Sequence, residues 1–386
     1  MRVNGIGNSS TSDSIRVINN SFSTFYYQGI NAVYINSSRI ADNKVKNPRL
    51  YTAYGMYLYY NENDSIEGNY IEGGRYGVYL YGENLFGKST FSSFANNMIT
   101  GLTDPNYQIG LMANSCHNLT VYHNSVYTNG RFTTNPFYAS MNIYYCQNSF
   151  VKNNSIQSGV GTCFAKYYGN IAAGSIDNNN YYSDGLAKYY HDGFSFADLA
   201  SWKTIKSKYN QNSKEGNPNY FSTKNLHSSG TQLNNEGQKG LGINKDYDGQ
   251  SRPIFPDKKP DIGADEYYVS PYDIDLVSLD SPAVAILGDN TVIIGLRNTG
   301  VKALDDDTVV VSYSVDGVFN LRDTVIISAL APTETYPHTF TKKWKVATSK
   351  AFNFCTKLDT FFKPDPDSLV KQEICINTCP GAKGSY

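Results

Sequence analysis

Over the first 190 residues, apolar and polar positions alternate in short runs, with no sustained helical period. The runs are Ala32-Val33-Tyr34-Ile35, Gly55-Met56-Tyr57-Leu58-Tyr59, Gly77-Val78-Tyr79-Leu80-Tyr81, Ile109-Gly110-Leu111-Met112-Ala113, Met141-Asn142-Ile143-Tyr144 and Phe164-Ala165-Lys166-Tyr167. A period of two predicts strands with one face on a core. Shorter runs follow them, such as Ser38-Arg39-Ile40, Leu119-Thr120-Val121 and Ser149-Phe150-Val151. Each is closed by a phrase of Asn, any residue, then an apolar one, beginning at Asn20, Asn43, Asn69, Asn97, Asn124, Asn154 and Asn180. The gaps are 23, 26, 28, 27, 30 and 26 residues. Repeats at nearly one period predict a solenoid. Each coil of about 25 residues would hold three short strands, stacked in parallel on the next.

That phase assigns directions. Met56, Leu58, Val78, Leu80, Leu111 and Ile143 point inward. Tyr34, Tyr57, Tyr59, Tyr79, Tyr81 and Tyr144 point outward as a stripe. The recurrent Asn is expected at a turn, because Asn tolerates left-handed backbone and bonds to nearby backbone groups. Stacked in register, Asn43, Asn69, Asn97, Asn124 and Asn154 can also bond to one another. Cys116 and Cys146 each lie eight residues before a rung Asn, so they share a position in adjacent coils. They read either as a buried thiol stack or as a disulfide.

The repeat resembles the right-handed parallel β-helix proteins of the pectate-lyase-like superfamily over roughly residues 13–190. That superfamily hosts lyases, hydrolases, epimerases and non-catalytic adhesins, so the resemblance implies a fold more than a reaction. After the last rung the period stops. Ser195-Phe196-Ala197-Asp198 reads as a helix start with Asp198 at the third helical position, and Phe196, Leu199, Trp202 and Ile205 form an apolar stripe. This helix is expected over the open end of the solenoid, where unpaired strand edges need cover. Gly216-Asn217-Pro218-Asn219-Tyr220-Phe221, Asp246-Tyr247-Asp248-Gly249-Gln250-Ser251-Arg252-Pro253 and Pro260-Asp261-Ile262-Gly263-Ala264-Asp265-Glu266 follow in order. This succession looks like the closing region of secreted bacterial β-helix proteins.

Beyond Val269-Ser270-Pro271-Tyr272, seven strand-like runs lie between Asp275 and Ile376, with turns at Asn298-Thr299-Gly300 and Val315-Asp316-Gly317. Short strands at this density predict a β-sandwich. The segment resembles the immunoglobulin-like adhesion-related (CARDB-like) module of bacterial surface proteins, which implies a spacer or binding unit. A Cys355–Cys375 disulfide is conceivable, with Cys379 as a competitor. The expected organisation is all-β: coils over 1–190, helix and closing region over 191–270, and sandwich over 271–380.

Composition narrows the function classes. Lys and Arg number 33 against 34 Asp and Glu, so no basic surplus points to nucleic acid. No apolar stretch reaches membrane-spanning length. Neither Met1-Arg2-Val3-Asn4-Gly5-Ile6-Gly7 nor Pro380 to Tyr386 reads as a natural end of a fold, so a piece of a longer exported protein is expected, placed outside the cell or on its surface. The coils lack recognisable lyase or glycosidase motifs. Acids gather at Glu62, Asp64, Glu67, Glu72 and Glu83, readable as a weak carboxylate site or as solvated loop charges. His123 is expected in a turn, facing solvent. Asp246 and Asp248, with Asp261, Asp265 and Glu266, either ligate calcium or make a turn locked by an Arg252–carboxylate pair; no other cofactor is expected. The tyrosine stripe suits a polysaccharide or another extended cell-surface ligand, because flat amphipathic rings stack on sugars. Against this, Tyr favours strands on packing grounds alone. A glycan-binding surface protein, a polysaccharide lyase or hydrolase, and a plain structural spacer are therefore the three readings.

Overall fold

A computed structural model describes residues 2–4, 12–47, 54–85, 90–105, 107–129, 135–254, 258–268, 270–361 and 373–378. Cys379, Val269 and most of the two chain ends discussed above lie outside them. The chain divides into two compact units, Met1–Tyr268 and Val269–Tyr386.

The first unit is a parallel β-solenoid with three sheets, as the alternation predicts. The first sheet runs through Gln28–Val33, Tyr54–Tyr59, Tyr76–Tyr81, Ile109–Asn114, Met141–Tyr144, Phe164–Tyr167 and Tyr189–His191. The second contains Arg39–Ala41, Ser65–Glu67, Ser92–Ala95 and Leu119–Tyr122 among its strands. The third contains Lys44–Asn47, Tyr70–Gly73, Met98–Thr100 and Ser125–Thr128. Registers are in phase, with Met56 opposite Val78, Val78 opposite Leu111 and Leu111 opposite Met141. Inward residues thereby form continuous apolar columns that are withdrawn from water. Glycine opens one of these columns. A Cβ on Gly55 would sit 2.3 Å from Ile71, and one on Gly77 would sit 2.2 Å from Ile99. The backbone of the first sheet thus approaches the β-branched side chains of the third.

The Asn ladder runs inside the wall between the second and third sheets. Asn43, Asn69, Asn97, Asn124 and Asn154 are all fully buried. Each side-chain oxygen accepts both the backbone N–H and the amide Nδ2 of the preceding rung. For Asn97 Oδ1 these bonds from Asn69 are 3.0 and 2.9 Å. Each Nδ2 also donates to a backbone carbonyl one coil back, as Asn97 does to Ile66 at 3.0 Å. Two expectations are corrected. The last rung is Asn179, which accepts from Asn154 N and Nδ2 at 2.9 Å; Asn180 pairs with Ser155 one step into the next strand. The left-handed residue is the one before each rung, in Asn19, Asp42, Gly68, Asn96, His123, Asn153 and Asn178, whose φ values run from 53° to 64°. The rung Asn serves through its side chain, and its neighbour makes the turn.

The helix is Leu199–Ile205, shorter than the stripe suggested, and Asp198 is its N-cap, accepting from Ser201 N at 2.7 Å. Asp198 is thus one position before the first helical residue, because Phe194–Phe196 pairs antiparallel with Tyr189–His191 and keeps the chain extended. Trp202 is fully buried against Phe164, Tyr181 and Tyr189 and donates Nε1–H to His191 Nδ1 at 3.1 Å. Ile205 is 60% exposed. The last coil is therefore sealed by Leu199 and Trp202 of the helix together with Phe196 of the strand before it.

In the second unit, Ile274–Ser281, Ile293–Asn298 and Thr335–Thr339 form one antiparallel sheet. Val318–Ile327, Asp307–Val315, Phe352–Phe361 and Glu373–Thr378 form another. Their inner faces bury Leu276, Ile294, Val311, Tyr313, Trp344, Phe354 and Leu358, the core of a β-sandwich. The Asp316-Gly317 turn has φ values of 51° and 75°, the tight hairpin form that suits twisted strands. Cys355 and Cys375 are directly opposite on paired strands and joined as a disulfide.

Candidate functional site

The tyrosine face is built by two adjacent rungs with the same Tyr-Gly-apolar-Tyr-Leu-Tyr pattern. Tyr54–Tyr59 and Tyr76–Tyr81 pair in register, so Tyr57 meets Tyr79 and Tyr59 meets Tyr81. Ring centroids are 5.6 Å apart at 4° for the first pair and 5.0 Å at 10° for the second. Along the strands, Tyr57 and Tyr59 lie 5.8 Å apart at 11°, and Tyr79 and Tyr81 lie 6.3 Å apart at 4°. The four rings make a nearly parallel block, half-buried, with Tyr54 stacked on Tyr76 beside it at 4.8 Å. Partial burial raises the pKa of Tyr57 and takes that of Tyr79 up to about 12, although Asn114 Nδ2 donates to the Tyr79 hydroxyl at 3.1 Å.

Two residues of the stripe lie elsewhere. Tyr34 is not on the sheet, because its strand ends at Val33, which aligns with Tyr59. Tyr34 occupies the next turn with φ 54° and stacks on Tyr60, also at φ 54°, with centroids 5.5 Å apart. The left-handed residue resets the alternation, which is why Ile35 is buried. Tyr144 aligns with Asn114 and Tyr167, two rungs beyond Tyr81. Met112 and Asn114 interrupt the row, so Tyr144, Tyr167 and Tyr190 form a second patch. Arg75 was not singled out by sequence reasoning. Its guanidinium lies 4.7 Å from the Tyr107 ring centre, 5.6 Å from Tyr76 and 5.7 Å from Tyr138. Among the described residues no carboxylate ion-pairs with it, and its Nε is buried without a hydrogen-bond partner.

The acid cluster is a correction. Glu62, Asp64 and Glu83 are only 5%, 2% and 0% exposed, not solvated loop charges. Glu83 follows a left-handed Gly82 that turns it into the solenoid, at the position held by Ile35 and Asn61 in earlier coils and by Cys116 in the next. Ser92 donates to Glu83 Oε1 at 2.8 Å, and Asp64 Oδ1 accepts Ser38 N–H at 2.8 Å. Asp64 Oδ2 and Glu83 Oε2 are buried with no hydrogen-bond partner. Burial, then the neighbouring acids, hold the Asp64 carboxyl well above the carboxylate range; burial first and Glu62 next take Glu83 up to about 7. A folded-state pKa above the unfolded value gives stability that is complete below the unfolded pKa, near 4.5, and lost as pH rises through about 7. Glu83→Gln is therefore expected to stabilise the solenoid at pH 8 by about 1–3 kcal/mol and to flatten its urea midpoint between pH 5 and 8. A midpoint that keeps its full pH dependence in the variant would refute this role.

His123 is also buried, at 1% exposure, and does not face solvent. Arg252 donates to its Nδ1 at 2.8 Å and Asn153 Nδ2 lies 3.0 Å from Nε2. Burial and the guanidinium hold its pKa well below the usual histidine range, so the ring is neutral. Arg252 pairs with buried Glu266 at 3.0 Å. Asp246, a calcium candidate, has both oxygens engaged by backbone N–H groups of Asp248, Gln250 and Glu266 at 2.7–3.0 Å. Its side chain makes a turn. Asp248 instead pairs with His227 at 2.7 Å. Cys116 and Cys146 are both free, fully buried thiols that contact backbone carbonyls of the first sheet.

A cleft of about 510 Å³ is lined by Tyr127, Gln157, Asn217, Tyr220, Phe221 and Thr223, away from the tyrosine block. No helix among the described residues is long and apolar enough to cross a membrane.

No family model and no curated protein matches the chain. Two solved structures of the CARDB domain of a Pyrococcus furiosus protein are similar to part of it. The crystal structure, in complex with di-metal ions, is 14% identical, covers 30% of this chain and 95% of its own, and has a TM-score of 0.23. The solution structure is 14% identical over 28% of this chain and 94% of its own, with a TM-score of 0.21.

Proposed function

We propose that the chain is an exported bacterial surface protein, with a pectate-lyase-like solenoid that binds an extended glycan through its tyrosine face and a CARDB-like sandwich that serves as spacer. The observation that carries this reading is the block of Tyr57, Tyr59, Tyr79 and Tyr81, nearly parallel on adjacent rungs. Such a block offers rows of hydroxyls and ring edges at the rung repeat, a match for a polymer that repeats its own hydroxyls. Arg75, held among three rings and without a carboxylate partner among the described residues, favours an acidic polymer, since a desolvated guanidinium pairs strongly with carboxylate or sulfate. Glu62, Asp64 and Glu83 are withdrawn from solvent, which weighs against their use as general acid or nucleophile.

Affinity-gel electrophoresis against uronate-containing and neutral polysaccharides, with and without calcium, tests the reading. Retardation is expected with the acidic polymers. Tyr57→Ala/Tyr79→Ala should weaken it by about 10-fold or more, the scale at which loss of an aromatic anchor acts in a binding interface. Equal retardation of the variant and the parent would sink it. Ring-on-ring stacking also favours a second reading, a structural spacer, for which neither binding nor product release is expected.

A further inference from the structure

The closing region brings together three side chains from three segments. His227 comes from the hairpin of Tyr220–Ser222 and Asn225–Ser228, Asp248 from the 246–249 turn, and Asp265 from the segment beneath. One ring nitrogen and one oxygen from each carboxylate lie within 4.8 Å of one another. Asp265 is 7% exposed and its Oδ2 accepts Ser228 N–H at 3.0 Å. Among the described residues neither Asp248 nor Asp265 is ion-paired with a lysine or arginine. Tyr247 packs edge-on against the His227 ring and Phe221 stacks on it, closing the sides.

The imidazole is held from both sides. Its Nδ1 abuts Asn225 Oδ1, and that oxygen also accepts His227 N–H at 3.2 Å, which identifies it as the carbonyl oxygen. Nε2 faces Asp248 Oδ2 at 2.7 Å. A ring nitrogen and a carboxylate oxygen are thus held side by side, with an oxygen of Asp265 within 4.8 Å of both. An outer oxygen that fixes the tautomer and leaves Nε2 for the ion is a common arrangement around metal-binding histidine.

We propose that His227, Asp248 and Asp265 form a binding site for a divalent transition metal of the zinc or manganese type. The ligand types decide the class. One imidazole and two carboxylates suit zinc, manganese or cobalt, whereas calcium takes six or more oxygens and no nitrogen. The metal takes the place of the direct contact between Nε2 and Asp248. Side-chain rotation brings the three ligands to metal-bond length, and the partly exposed side keeps positions for water. Bound there, the ion ties the hairpin, the turn and the Asp265 segment, none of which has the solenoid's parallel pairing to hold it. The site is independent of the glycan reading.

The full chain, stripped with chelator and titrated with Zn2+, Mn2+ or Ca2+ in a calorimeter, gives the test. One equivalent of Zn2+ or Mn2+ is expected, with a concentration-dependent rise in Tm, and Co2+ should give visible ligand-field absorption. His227→Ala and the more exposed Asp248→Asn should each weaken binding at least 10-fold while keeping the parent's circular dichroism. Asp265→Asn should do the same where it folds. Absence of Zn2+ and Mn2+ binding, or binding unchanged by His227→Ala and Asp248→Asn, would overturn the proposal. A calcium-only response would overturn it as well.

Discussion

Asn97→Ala is expected to destabilise the solenoid by about 3–5 kcal/mol, one of the two largest single-residue effects anticipated in this chain. The side chain is at the centre of the ladder and fully buried. Its loss strips the acceptor from Asn69 N and Nδ2 and the donor from Ile66 O, Ala95 O and Asn124 Oδ1. Each buried group left unpaired costs about 1–3 kcal/mol, and partial relaxation keeps the total below the sum. Asn97→Asp separates polarity from size. It keeps the acceptor for Asn69 but turns an anionic oxygen on three acceptors, so it should be worse than alanine at pH 8 and recover as pH falls. The chain has two tryptophans, one in each unit. In a Trp344→Phe background, Trp202 fluorescence in urea follows the solenoid alone. A loss below about 1 kcal/mol would mean that water replaces the ladder bonds.

Arg252→Ala should be comparably severe, at about 3–5 kcal/mol, because it leaves a buried carboxylate uncompensated. The guanidinium is fully withdrawn from solvent and donates to Asp261 O, Ala264 O and His123 Nδ1 besides pairing with Glu266. It thereby joins the closing region to a turn residue 129 positions earlier. Ala264 N–H to Ser125 Oγ at 3.0 Å and Gly263 N–H to Asn153 O at 2.8 Å are the adjoining seams. Limited proteolysis should cut the 230–265 stretch early in Arg252→Ala. Arg252→Met with Glu266→Leu should recover most of the loss, since a buried ion pair replaced as a whole by apolar groups is often neutral. A double variant no better than the single would show that the backbone carbonyl bonds, not the lost charge balance, hold this seam.

Much of the fold was legible because the solenoid writes each rung separately. Val78 and Leu111 are stacked in space and alike in sequence, so phase in one coil predicts the next. The errors sit where a coil departs from that rule. Asn179 and Asn180 are adjacent, and local spacing cannot say which reaches Asn154; only the pairing of Asn180 with Ser155 decides it. Tyr34 falls one residue past its strand because left-handed turns at Tyr34 and Tyr60 reset the alternation. Glu83 looks like a surface acid, yet Gly82 turns it inward. His123 is buried by Arg252, a partner no periodicity announces. His227, Asp248 and Asp265 meet through a region without repeat, and although the two acids were visible as possible calcium ligands, nothing in the spacing pointed to the histidine.

The ladder has a direction. Every rung amide hands its N–H forward to the next Oδ1 from Asn20 to Asn179, and Asn179 N–H ends on Ser213 Oγ at 3.1 Å, which donates onward to Asn210 Oδ1 at 2.9 Å. An inserted coil would bring one accepting oxygen and the two N–H donors that fill the next one, and would consume the same in turn. Solenoid length is thus free to change by duplication or deletion of whole coils, with no polar group stranded inside. The terminus is not free: any cap grafted in place of this one must present an acceptor where Ser213 now stands.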